Sequence, residues 1–170
     1  MITIELATEK DLEHIQTLFQ QGKAFLKSQG IDQWQNDYPS KDDAAKDVAT
    51  HKGWCLIKDS KIVGYACLDA DGEPSYDTLK GKWLDNLPYL VVHRMVIDDT
   101  YKHQGLAKAF FAEIDKYAIS NNIFSIRIDT DDANMIMKQL IKASGYTYCG
   151  TIWFDNSIKI AFQKQLHDKH

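Results

Sequence analysis

From Tyr89 to Ile97 the chain is apolar almost without interruption, and after a short polar turn the period changes to Leu106, Phe110, Ile114, Tyr117. A continuous apolar run is what a central strand needs when both its faces are covered, and the later spacing marks one face of a helix. A buried strand feeding a helix in this way constrains the chain to the α/β class. Other segments agree. Ile2, Ile4 and Leu6 alternate as a half-buried strand, and Thr8 with Asp11 opens a helix along Leu12, Ile15, Leu18, Phe19, Phe25 and Leu26, closed by Gln29-Gly30. Ser40 and Asp43 open a shorter polar helix that fades near Gly53. Trp54–Ile57 and Ile62–Leu68 read as a hairpin across Asp59-Ser60-Lys61, and 69–88 has no period and reads as a long surface connection. Phe124, Ile126 and Ile128 alternate again, Asn134–Ala143 is amphipathic, and Tyr146–Phe154 with Ile158–Leu166 closes the chain as a hairpin about Asp155-Asn156. The order is β-α-α-β-β-β-α-β-α-β-β, which predicts a mixed sheet with helices on both faces.

At 170 residues the chain is expected to form one domain, 1–170. Apolar residues at 44% and charged residues at 26% suit a soluble globular protein. No apolar run approaches the roughly 20 residues that span a bilayer, and the first residues carry no basic leader, so no membrane partner and a cytoplasmic location are expected. A net charge of -4 argues against nucleic acid as a partner, because tracking phosphates takes clustered Lys and Arg. Cys55, Cys67 and Cys149 stand far apart in apolar stretches, as buried free thiols do. Asp129, Asp131 and Asp132 lack the spacing of a calcium loop and read as a solvated acidic turn, so no metal is expected.

The chemistry concentrates between Met95 and Ala107. A helix that starts at a tight turn leaves main-chain N–H groups unpaired and carries partial positive charge, which suits it to hold a phosphate. Gly105 lets the chain approach a bulky anion, small Ala107 keeps the first turn clear, and Lys102 adds a mobile charge.

Here the sequence resembles the GNAT superfamily of N-acetyltransferases, whose pyrophosphate loop reads Gln or Arg, two residues, Gly, one residue, Gly or Ala. This chain has Lys102-His103-Gln104-Gly105-Leu106-Ala107, with lysine at the first place. A second stretch is similar too: Asn134, Leu140 and Gly145-Tyr146 follow the family's Asn, Leu and Gly-aromatic spacing. The resemblance implies a GNAT (acyl-CoA N-acyltransferase) fold with a mixed, mostly antiparallel central sheet whose central strands splay apart. It implies acetyl-coenzyme A as co-substrate. The backbone of Met95, Val96 and Ile97 would bond the pantetheine amides, and main-chain groups from His103 through Gln104, Gly105 and Leu106 to Ala107 would hold the pyrophosphate. Asn134 would meet the arm from the other side, or cap its helix, or do both.

The reaction so implied is acetyl transfer by direct attack of a neutral primary amine of a small molecule or peptide, with a strand N–H near Met95 or Val96 stabilising the oxyanion. An alkylammonium has a pKa of about 10.4, so only about one molecule in 10³ is neutral near pH 7, a deficit of roughly 4 kcal/mol. The family's strand carboxylate falls at Val91 here. His93 shares that face by strand alternation and is either the base or proton relay or a hydrogen-bonded core residue, with Arg94 beside it a packed or paired charge; Asp69, Asp71 and Glu73 are alternative bases. The family's acid, a tyrosine after Leu140, is Ile141 here, so Tyr146, Tyr148 or water replaces it, or the thiolate leaves unprotonated. Trp34 and Tyr38, with Gln33 and Asp37, either roof the acceptor site, as aromatic and acidic groups suited to a cationic amine, or pin their loop to the core. A homodimer is one expected assembly, since relatives commonly dimerise. The competing readings are a silent module that binds coenzyme A or its acyl form, and an unrelated nucleotide-binding α/β domain.

Overall fold

The computed structural model describes residues 1–101 and 103–167, and among them the chain forms eight strands and four α-helices. They fall into two compact units, one of Met1–Leu68 with His93–Phe110, the other of Asp69–Val92 with the chain from Phe111 on. The chain crosses between them three times, twice inside strands and once inside a helix.

In the first unit β1 (Ile2–Leu6), β2 (Gly53–Lys58) and β3 (Lys61–Asp69) are antiparallel neighbours, and β5 (Leu90–Ile97) follows β3 in the order. The β2–β3 turn is Asp59-Ser60, both left-handed, as a tight hairpin demands. A capping box at Thr8 and Asp11 starts a short 3-10 turn that leads into α1 (Leu12–Ser28), and Ser40 with Asp43 caps α2 (Lys41–Ala49) in the same reciprocal way. Ile15, Leu18 and Phe19 of α1 and Ala44 of α2 pack with Cys55, Tyr65 and Val96 as one core. Between the helices, Trp34, Asn36 and Asp37 are all left-handed, a strained run for residues other than glycine.

In the second unit the order is β5, β6 (Ser125–Asp131), β8 (Ser157–Gln165), β7 (Thr147–Phe154), β4 (Lys80–Gly81). β5 and β6 are parallel over Leu90↔Ile126 and Val91↔Arg127, and the other pairs are antiparallel. The helix α3 (Leu106–Ser120) enters this unit at Phe111, and α4 (Met135–Ala143) lies between β6 and β7 in the chain.

The stretch 69–88 is not a loose connection. It holds a 3-10 turn at Pro74–Thr78, capped by the Glu73 carboxylate accepting from the Ser75 N–H at 3.0 Å, and then β4. Tyr76 is fully buried, donates to Asp129 at 2.6 Å and packs with Val91, Ile152 and Ala161. The Arg127 guanidinium lies 4.2 Å from the Trp83 ring centre and 4.0 Å from that of Tyr89. Aromatics this far apart in sequence show no period, yet contacts to β6 fix them. The acidic turn is corrected too. Asp131 is buried, accepting from Ser157 at 2.9 Å, Lys159 at 3.3 Å and the Ala133 N–H at 3.0 Å. Asp132 pairs with Lys138 at 3.0 Å. Cys55, Cys67 and Cys149 are free and buried, and burial, with Asp11 and Glu5 nearby, pushes the Cys55 thiol up to about 12. Among the described residues no helix is long and apolar enough to cross a membrane.

Candidate active site

Where β5 gives way to α3 the chain makes a turn that its own side chains hold from behind. Asp98 accepts from the Thr100 N–H at 2.9 Å, and Gln21 of α1 accepts from the Asp99 N–H at 2.9 Å. Met95 and Val96 are buried, Ile97 is half-buried, and Leu106 seats the start of α3. Between them His103, Gln104 and Gly105 are exposed. His103 (φ 64°) and Gly105 (φ 71°) are left-handed, and a Cβ added at Gly105 would meet nothing within 4 Å. Open space over an exposed glycine at a helix N-terminus leaves room and polarity for an anion. Lys102 lies outside the described residues. A cation absent from the sequence reading does reach the turn: Lys58 of β2 donates to the Gln104 side chain at 2.9 Å. Nothing in the sequence joins these two residues, and only the hairpin brings them together.

His93 is half-buried and next to it Arg94 takes φ 53°, a left-handed residue in mid-strand of the kind that makes a bulge. The strict alternation used to orient His93 is therefore broken at the following residue. Arg94 is a paired cation. Its Nε donates to Asp47 Oδ2 at 3.0 Å and its Nη2 to Oδ1 at 2.5 Å. The Tyr65 hydroxyl donates to the same Oδ2 at 2.5 Å, and Arg94 Nη1 donates to the Tyr38 hydroxyl at 2.9 Å. Burial works against the Arg94 charge, but the bonds to Asp47 together with the electrostatic pull of Tyr38, Cys67 and Asp47 outweigh it and hold the guanidinium pKa above its ordinary value. Burial, then the Asp47 charge, drives the Tyr65 phenol up as well.

Trp34 and Tyr38 divide the roles foreseen for their loop. Trp34 meets Phe19 edge-on, ring centres 6.0 Å apart, and lies over Gly22, where an added Cβ would come within 2.9 Å of its ring. Tyr38 is 42% exposed, so its ring faces outward while its hydroxyl is tied to Arg94. Asp37, the acid of the same loop, is exposed and left-handed at φ 65°.

In the second unit Asn134 is the buried N-cap of α4 and accepts from the Met137 N–H at 3.1 Å. Ile141 is fully buried. Tyr146 packs against Phe111, ring centres 5.6 Å apart, with the Lys164 ammonium 5.9 Å from its ring centre, and its buried hydroxyl has no hydrogen-bond partner among the described residues. Burial, with Asp115 nearby, raises that phenol well above its ordinary value. Tyr148 is 55% exposed on β7.

The sequence comparison gives the family of this arrangement: residues 14–146 match the Acetyltransferase (GNAT) family. The chain belongs to that family. An acetyltransferase of the GNAT family from Streptococcus agalactiae superposes with a TM-score of 0.91 at 30% identity, over 98% of this chain and 96% of that one. An acetyltransferase from Staphylococcus aureus gives 0.73 at 24% identity, over 96% and 99%. An aminoglycoside acetyltransferase in complex with coenzyme A gives 0.71 at 14% identity, over 97% and 95%, a likeness of fold alone. No curated protein matches the chain in sequence.

Proposed function

We propose that this acetyltransferase moves the acetyl group of acetyl-coenzyme A onto a primary amine of a small molecule or peptide. The observation that carries the reading is the exposed left-handed turn at His103–Gly105, open over Gly105 and set at the start of α3. Main-chain groups from His103 to Ala107 would hold the diphosphate there, with Lys58 beside Gln104 as an added cation and Lys102 as a further one. The backbone of Met95, Val96 and Ile97 would align the pantetheine arm. Asn134, whose side chain caps α4, would meet that arm from the other side. When bound, the co-substrate supplies an activated acyl group whose carbonyl is open to attack.

The protein then has three tasks. It must deprotonate the amine, since only about one alkylamine in 10³ is neutral at pH 7. His93 does this directly or through water, as an imidazole half-buried beside the bulge. It must stabilise the negative charge growing on the carbonyl oxygen, which falls to the N–H of Met95 or Val96. It must let the sulfur go. A thiol pKa of about 8.5 makes thiolate a fair leaving group, so in this reading it departs unprotonated and Tyr146 keeps its enclosed proton. Trp34 and Tyr38 would line the acceptor's approach, Trp34 fixed by the core and Tyr38 presenting its ring.

Isothermal titration with acetyl-coenzyme A tests the binding half, and thiol release across polyamines, aminoglycosides, amino acids and peptide N-termini tests the transfer half. Heat of binding and thiol release with an acceptor is the expected result. No heat at high protein concentration overturns the reading, and binding without turnover on any amine replaces it with a silent acyl-coenzyme A module. His93→Ala is expected to cut turnover at neutral pH while sparing co-substrate affinity; unchanged turnover at every pH removes His93 from the role.

A further inference from the structure

We infer that Asp47 is a positioning residue for acetyl transfer, acting through Arg94 to fix the peptide that carries the Met95 N–H; the inference rests on the acetyltransferase reading above. Arg94 sits inside a strand at φ 53°, and a long side chain holds the left-handed region only where its surroundings over-determine it. The over-determination is visible. Both Asp47 oxygens grip the guanidinium, at 3.0 Å and 2.5 Å, a fork-to-fork match that sets the position of the group and the plane it lies in.

Asp47 is itself held. Tyr65 of the neighbouring strand donates to it at 2.5 Å, and its own carbonyl accepts from the Lys52 N–H at 2.8 Å, fixing the end of α2. The side chains of Arg94 and Asp47 are only 15% and 6% exposed. A buried ion pair of this kind is poor evidence of a stabilising purpose, since well-packed apolar side chains do as well. What an apolar pair would not do is define the torsion of Arg94. The positive φ turns the next peptide, which bears the Met95 N–H, away from the regular alternation of the strand. That N–H is one of the two donors assigned to the reacting carbonyl. The third arm of the guanidinium, to Tyr38 at 2.9 Å, ties the acceptor loop to the same point. Asp47 touches no substrate in this scheme; it sets the direction of a donor that does.

The test uses the whole chain labelled with ¹⁵N, and its first readout needs no acceptor. The Met95 amide resonance is followed with acetyl-coenzyme A and with coenzyme A, which differ only by the acetyl group on sulfur. In the unaltered protein acetyl-coenzyme A is expected to shift it more. In Asp47→Asn that difference is expected to vanish while calorimetric Kd values for both ligands stay within about twofold, and kcat per folded molecule with benzylamine as probe falls at least about tenfold. Tyr65→Phe keeps the ion pair and removes one bond to Asp47, so it tests the same chain of contacts should Asp47→Asn fail to fold; a partial loss of the shift difference is expected. Variants that bind, melt earlier and keep the full Met95 difference and the original kcat overturn the inference and leave Asp47 a stabilising residue. Failure of the unaltered protein to bind acetyl-coenzyme A overturns the acetyltransferase reading and this inference with it.

Discussion

The turn at His103–Gly105 and the cluster around Asp47 belong to the same unit and are built in opposite ways. The turn is contiguous in the chain, exposed, and offers main-chain groups whose directions follow from left-handed torsions at His103 and Gly105. The cluster draws Tyr38, Asp47, Tyr65 and Arg94 from a loop, a helix and two strands, and encloses charge in side-chain bonds. A main-chain site tolerates most side-chain changes and fails when its torsions or its open space are lost. A buried side-chain network has the reverse sensitivity: each member leaves its partners uncompensated when removed.

The largest expected effect comes from Asp47→Ala. It strands a buried guanidinium and the Tyr65 hydroxyl, and breaking a buried pair from one side costs about 3–5 kcal/mol. A chain of this length should then melt roughly 10 °C lower or more, read by circular dichroism. Coenzyme A affinity of the folded fraction should be retained. A loss of affinity with no loss of stability would show that the contrast between cluster and turn is false.

Gly105→Val is the complementary test. A Cβ there meets nothing, so the folded chain bears only the left-handed penalty of about 1–2 kcal/mol. The side chain would occupy the open space over the turn. Coenzyme A affinity is expected to fall about 100-fold, near 2.7 kcal/mol, in a calorimetric titration. Unchanged affinity would remove the turn from the binding site.

The same contrast explains what the sequence makes legible. β5, the turn and α3 occupy one uninterrupted stretch, and the caps at Ser40, Asn134 and Thr8 are local patterns, so the fold and the open glycine turn could be read residue by residue. Lys58 and Gln104 are joined only by the folding of the hairpin, and Tyr76, Trp83 and Arg127 only by β6. Asp47 did leave a trace. In α2 it stands three residues after Ala44 and beside Val48, on the face that packs into the core, and both Ala44 and Asp47 are buried. An acid on an apolar helix face and an Arg inside an apolar strand each require a buried counter-charge, and pairing those two demands would have proposed the contact. The left-handed torsion of Arg94 has no such signature, because Arg carries no preference for it.

Gly22→Ala probes how far the core fixes the acceptor loop. Alanine favours the helix by about 1 kcal/mol, but its Cβ would lie 2.9 Å from the Trp34 ring and 3.2 Å from Val96 Cγ2. The ring is wedged on Phe19 and is not a loose end, so overpacking of about 1–3 kcal/mol should prevail and leave a net loss of about 1 kcal/mol. The melting temperature should drop by a few degrees and the acceptor KM should rise, with coenzyme A affinity unaltered. A stabilised variant with unaltered acceptor KM would mean that Trp34 yields freely and that its loop is not anchored there.

The smallest effect is also the one of opposite sign. The Tyr146 hydroxyl is buried near Phe111 and Lys164 with no hydrogen-bond partner among the described residues, and an unpartnered buried hydroxyl is a liability of about 1–3 kcal/mol. Tyr146→Phe removes it and leaves a gap of one oxygen, so a net gain of about 1 kcal/mol and a melting temperature higher by roughly 3 °C are expected. The same variant separates two ways of releasing the sulfur. Burial and the Asp115 charge both hold the phenol's pKa far above neutrality, so its proton stays in place over the working pH range. If thiolate departs unaided, kcat is unchanged from pH 6 to 9 and only stability moves. A tenfold fall in kcat over that range, with coenzyme A affinity intact, would instead make Tyr146 the proton donor that Ile141 cannot be.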